Sequence, residues 1–253
     1  MILKEDLIDA NSTPGDEIFQ AWKVPYKKLF YLRWIACSYG LFGVLYMWWL
    51  EWPLIGKQLF FMTIWGHDLT FIYFILMLVY MYKYESKEKR ETQGHVLLKF
   101  ITLMSQIVFS LECVIMIFFW SVLAADIMKT NAARPFPLNV EFIFLNVILH
   151  AVSPLCIILE VVFNKIPFDR RRGAIAVTVV MAVYSVWNFI GTKVLGKPIY
   201  KPIDWSSPLT VVFLLIAYAL GMAAFFSGHW LQKRKLENEK GHDVLPEDSL
   251  TSV

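Results

Sequence analysis

Six apolar stretches, each about 20 residues or longer and nearly free of charge, limit what this chain can fold into. In a bilayer no water is available to the backbone, so a segment of that length must satisfy its own N–H and C=O groups as a helix. The stretches are Leu29–Trp49, Leu59–Tyr82, Leu103–Ala124, Val140–Phe163, Ala174–Leu195 and Thr210–Trp230. They predict an all-α membrane protein with six transmembrane helices. The breaks have local causes: Glu51-Trp52-Pro53, the charge run Lys83 to Glu91, Arg134-Pro135-Phe136-Pro137, Pro167 to Arg172, and Gly196-Lys197-Pro198 through Pro208.

This organisation gives a polar N-terminal tail at 1–28, a transmembrane domain at 29–230, and a C-terminal tail at 231–253 that is expected to be disordered. The chain is 57% hydrophobic, against about 45 to 50% for a soluble domain, and the excess lies in these runs. A net charge of +3 gives no support to nucleic-acid binding. Cys37, Cys113 and Cys156 all fall inside apolar runs without CxxC spacing, so they read as small buried hydrophobes. The acidic, polar start does not look like a cleavable signal peptide, which leaves the first span to direct insertion.

Basic residues orient the bundle. The tails with the second and fourth loops hold 18 of the 24 Lys and Arg, so the positive-inside rule predicts that both termini are cytoplasmic. Trp48, Trp49, Trp52, Trp205 and Trp230 fall near the predicted interfaces as an aromatic belt. Asn11-Ser12-Thr13 is a glycosylation sequon that this topology leaves in the cytosol, unused. The endoplasmic reticulum and the plasma membrane both suit such a protein.

Polar residues within the spans carry the functional signal, because ionisable groups at membrane depth are costly and are usually there for a task. His150 lies mid-way along the fourth span. Asn146 is four residues earlier, on the same face. Thr63 and His67 share a face of the second span, and Glu112 is central in the third. Each also has a structural reading: a membrane Thr bonds back to its own helix, and a lone His packs and hydrogen-bonds. His67 and Asp68 sit near an interface, and Glu160 is placed to pair with Arg170 or Arg171. Pro154 is expected to kink the fourth helix. Together, a Thr hydroxyl and a neutral imidazole permit nucleophilic catalysis through an acyl-threonine. There is no GxSxG elbow, Walker loop or HExxH motif, and the chemistry calls for no metal and no soluble cofactor.

At these residues a resemblance emerges. Phe61-Met62-Thr63-Ile64-Trp65, continuing through Phe71-Ile72-Tyr73-Phe74, resembles the Thr-bearing second helix of the androgen-induced membrane protein family. Leu145-Asn146-Val147-Ile148-Leu149-His150, with Glu160 ten residues on, is similar to its His-bearing helix. Tyr184-Ser185-Val186-Trp187 and Gly196-Lys197-Pro198-Ile199-Tyr200-Lys201-Pro202 resemble its fifth helix and the loop after it. The similarity spans about residues 30 to 230 in order. It implies a threonine hydrolase of fatty acid esters of hydroxy fatty acids, with Thr63 as nucleophile and His150 as general base. Asn146, Glu112 and His67 are candidates to orient the base or stabilise the oxyanion. The chain departs from the family pattern at Pro154, one residue closer to the His, at His67-Asp68, and in its tails.

Two other classes fit the same residues. One is a haem protein, with His67 and His150 as axial ligands and His95 and His229 as a second pair. The other is a non-catalytic membrane scaffold, regulator or small transporter. The expected partners are a lipid ester and bilayer lipids. Leu250-Thr251-Ser252-Val253 also fits the C-terminal pattern bound by PDZ domains.

Overall fold

The computed structural model describes residues 18, 21–51, 55–84, 95–133 and 135–242. Six helices are long and apolar enough to cross a membrane, and no strand longer than an isolated bridge occurs among the described residues. They are α1 (Tyr26–Glu51), α2 (Met62–Lys83), α3 (95–132), α4 (Leu138–Phe163), α5 (Arg170–Leu195) and α6 (Leu209–His242). Five of them cover the expected spans in full, and α2 starts at Met62, three residues after the expected Leu59. Several run further, because helices continue past the hydrocarbon layer while hydropathy marks only the part inside it.

The centre of the bundle is α3, which packs against α2, α4, α5 and α6, while α1 packs on α2 and α4. This fits the chemistry of α3: Ile101, Val108, Leu111, Val114 and Ile115 are buried on it. The outer helices instead turn large apolar side chains outward, such as Ile35, Val183 and Leu215, as lipid contact requires. Gly173 and Gly228 let helices approach closely, since a Cβ at either would collide with Phe225 or Phe168.

One end of the bundle is tied by buried charge. Arg33 on α1 and Glu160 on α4 are fully buried and paired at 2.7 Å. Tyr73 (3.4 Å) and Asn164 (3.2 Å) also donate to that carboxylate, and Arg33 Nη1 donates to the Ile18 carbonyl at 2.6 Å. Glu160 therefore pairs with Arg33 rather than with Arg170 or Arg171. The side chain of Arg33 reaches it directly from the neighbouring helix, whereas Arg171 and Arg172 give their backbone N–H groups to the α5 N-cap, Asp169. At the same end Lys235 donates to the carbonyls of Val161 (2.6 Å) and Asn164 (2.8 Å), filling orphan acceptors where α4 stops. Trp22 N–H donates to Phe163 O at 2.8 Å.

The tail expected from Leu231 is helical as far as His242. Lys235 and Gln232 anchor that stretch to α4, and Lys233 pairs with Glu237 one turn on. The Asn11 sequon, residues 243–253 and the C-terminal Leu250-Thr251-Ser252-Val253 lie outside the described residues.

Candidate active site

Thr63 is the second residue of α2, at the helix end rather than well inside it. The preceding turn is taken from the helix by side-chain donors. The indoles of Trp65 and Trp187 both donate to Leu59 O at 2.8 Å, and Tyr184 Oη donates to Phe60 O at 3.0 Å. The N-cap, Phe61, has no side-chain oxygen to offer the first turn. Two tyrosine hydroxyls take that role: Met62 N–H donates to Tyr184 Oη and to Tyr200 Oη, each at 3.0 Å. Tyr200, from the loop between α5 and α6, also meets the backbone N–H and the hydroxyl of Thr63. Burial holds the Tyr200 hydroxyl above its ordinary pKa, so it stays protonated at neutral pH and can donate.

Thr63 opens onto a cavity of about 310 Å³ between α2, α3, α5 and α6, lined by Phe119, Met181, Tyr184, Tyr200 and Leu214 among others. Its size is at the lower end of the range of about 300 to 1,000 Å³ that holds small ligands. The wall is largely aliphatic and aromatic. The nucleophile candidate thus sits at a helix N-terminus, where the helix dipole favours developing negative charge.

His150 lies on α4 in a π-helical turn, Ile148–Val152. Pro154 has no N–H to give the carbonyl four residues back, which belongs to His150. That carbonyl accepts instead from the Trp120 indole at 3.0 Å, and α-helix resumes at Ser153. The π turn ends just before the proline, its closing bond running from Ser153 N–H to Ile148 O. His150 Nδ1 donates to Asn146 O at 2.9 Å, a tautomer assigned from that geometry. Nε2 is then the basic nitrogen. Asn146 contributes its main-chain oxygen, while its own amide bonds back to Phe142 O at 2.8 Å.

Phe119 connects the two candidates. It lines the cavity with Thr63 and stacks on His150, with centroids 3.5 Å apart and planes at 18°. It too lies in a π turn, Phe119–Leu123. No hydrogen bond joins Thr63 to His150 among the described residues; one aromatic ring stands in the wall between the imidazole and the cavity.

His67 and Glu112 are buried outside the cavity lining, and the structure places them toward α1 and α4. Tyr184 and Tyr200 were not singled out as site residues from sequence. They enter there only within the blocks that carry the family resemblance, and only the fold brings both to residue 62.

A family model for FAR-17a/AIG1-like proteins matches residues 29–233. No curated protein and no solved structure matches the chain. The match takes in four of the membrane-spanning helices whole, most of the first and last, and the loops between them, Thr63 and His150 included, and on that coverage the chain is a member of the FAR-17a/AIG1-like family.

Proposed function

We propose that this protein is an intramembrane lipid-ester hydrolase, cleaving fatty acid esters of hydroxy fatty acids with Thr63 as nucleophile and His150 as general base. One observation supports this above the others. A hydroxyl at a helix N-terminus faces an apolar cavity, and the polar groups of Tyr184 and Tyr200 stand at its end of that cavity.

In this reading Thr63 Oγ1 attacks the ester carbonyl and its proton passes to His150 Nε2. The oxyanion takes a hydrogen bond from the Tyr200 hydroxyl and lies at the positive end of the α2 dipole. The tetrahedral intermediate collapses to an acyl-threonine, and the departing alkoxide takes the proton from the imidazolium. Water then attacks the acyl-threonine and loses a proton to His150; as the intermediate collapses, Thr63 Oγ1 leaves with that proton and the fatty acid is released. Proton transfer needs Phe119 to leave the wall as substrate enters, and the π turns beneath Phe119 and His150 give both residues room to shift. No metal or soluble cofactor takes part. Both termini face the cytosol, as the distribution of Lys and Arg supports, and the endoplasmic reticulum and the plasma membrane both suit the chain.

Turnover of a fatty acid ester of a hydroxy fatty acid by the purified chain tests the reading, with a fluorophosphonate probe on the same samples. Wild type should hydrolyse the ester and take the label, while folded Thr63→Ala and His150→Ala should do neither. A wild-type chain inert to both would favour a non-catalytic lipid-binding membrane protein, the reading that the intervening Phe119 favours.

A further inference from the structure

A second polar cluster lies inside the bundle, and the mechanism above does not use it. Glu112, on α3, is fully buried. Its Oε1 accepts from Thr70 on α2 and from Ser153 on α4, both at 2.7 Å. Its Oε2 meets no protein hydrogen-bond partner among the described residues. The same holds for both ring nitrogens of His67 and for the Tyr39 hydroxyl, all buried. The Gly40 carbonyl lies near the His67 ring but outside good hydrogen-bond geometry. Tyr39 on α1 packs edge-on against His67, centroids 6.2 Å apart, and lies within electrostatic reach of Glu112.

Two glycines make the close approaches. A Cβ on Gly43 would strike the His67 ring, and one on Gly66 would come within 3.4 Å of Glu112 Oε1. Polar atoms from neighbouring helices therefore converge without partners. Leaving each bare is costly, whereas a buried water needs only about 2 to 4 such partners.

Charge decides the protonation state. Arg33 is committed to Glu160, and no cation pairs with Glu112 among the described residues. The other titratable groups of these helices nearby are Asp68 on α2, Cys113 on α3, and Cys156 and His150 on α4; His150 gives its Nδ1 proton to Asn146 O and rests neutral, so none brings positive charge. An ionised Glu112 would be an uncompensated anion at membrane depth, which is expensive. As a carboxylic acid it fits: the carbonyl oxygen takes the two hydroxyl donors and the acid proton sits on Oε2.

We propose that Glu112, His67 and Tyr39 enclose a hydrated proton-binding site within the membrane, separate from the Thr63 cavity, in which Glu112 is protonated at neutral pH and its proton is shared through water with His67. Thr63, His67 and Thr70 follow one face of α2, so the site begins about one helical turn from the candidate nucleophile. It stands whether or not Thr63 is catalytic.

Infrared spectroscopy of the purified full-length chain tests it. Wild type should show a carboxylic-acid C=O band from mildly acidic to mildly alkaline pH, absent in Glu112→Gln and shifted promptly in D2O. Gln keeps an acceptor and adds a donor, so that variant should melt near the wild-type temperature. If it fails to fold, Ser153→Ala identifies the same band by raising its frequency, because one hydrogen bond to the carbonyl is lost. A wild-type spectrum without the band at neutral pH, or a band that neither variant alters, overturns the proposal. A band that does not shift in D2O overturns the water-shared proton.

Discussion

Phe119 lies face to face with the imidazole of His150, centroids 3.5 Å apart, and the two residues sit in π turns of adjacent helices. The stack buries one face of the imidazole and supplies one wall of the cavity. Phe119→Ala should therefore cost about 3 to 5 kcal/mol, with Phe119→Leu costing less. Thermal unfolding in detergent measures both, and equal, negligible losses would show that the stack does not hold α3 to α4.

For the reaction, removal of the nucleophile should outweigh removal of a supporting hydroxyl. Thr63→Ala should lower ester turnover about 10³-fold or more, and Tyr200→Phe about 10²-fold. Steady-state kinetics would show the Tyr200 loss mainly in kcat if its hydroxyl serves the transition state. A change confined to KM would make Tyr200 a binding residue.

Arg33 and Glu160 form a fully buried pair, and breaking one side leaves the other charge uncompensated. Arg33→Ala or Glu160→Ala alone should each destabilise by about 3 to 5 kcal/mol. The double variant should lose less than the sum of the two. A double-mutant cycle on melting temperatures measures this coupling; strict additivity would contradict it.

Asp204 holds the loop before α6. Its Oδ1 accepts from the backbone N–H of Ser206 (3.0 Å) and Ser207 (3.1 Å), and from Thr210 Oγ1 (3.4 Å). The Ser206 N–H contributes most to holding the carboxyl below its usual pKa. A depressed carboxylate contributes stability that is complete above its unfolded pKa, about 3.9, and is lost as pH falls through the folded value. Protection of the Ser206 and Ser207 amides, taken as exchange relative to the intrinsic rate at each pH, should therefore fall only below about pH 4. Asp204→Asn keeps the acceptor oxygen and should remove that pH dependence.

The six spans were legible because an apolar run in a bilayer has one backbone solution. Their ends were less so. Leu59 to Phe61 are as hydrophobic as the first turns of α2, and only indole and phenol donors from residues 65, 184 and 187 show why the helix starts at Met62. Thr63 and His150 stood out as polar atoms in apolar surroundings. Phe119 did not, since a phenylalanine in such a run has no distinguishing neighbour, and its π turn reads as ordinary helix. Arg33 was overlooked as a partner for Glu160 because 127 residues separate them and nearer arginines were available.

The indole that satisfies the His150 carbonyl bears on how the protein is made. A helix entering the membrane with a proline carries one carbonyl that it cannot satisfy from within. For α4 that carbonyl belongs to the candidate base, and its donor, Trp120, sits on the preceding span. Synthesis from the N-terminus delivers α3 to the bilayer first, so Trp120 is in place when α4 arrives. The order of the two helices along the chain thus supplies the missing bond at the moment of insertion, and exchanging that order would bring α4 into lipid with the bond unmade.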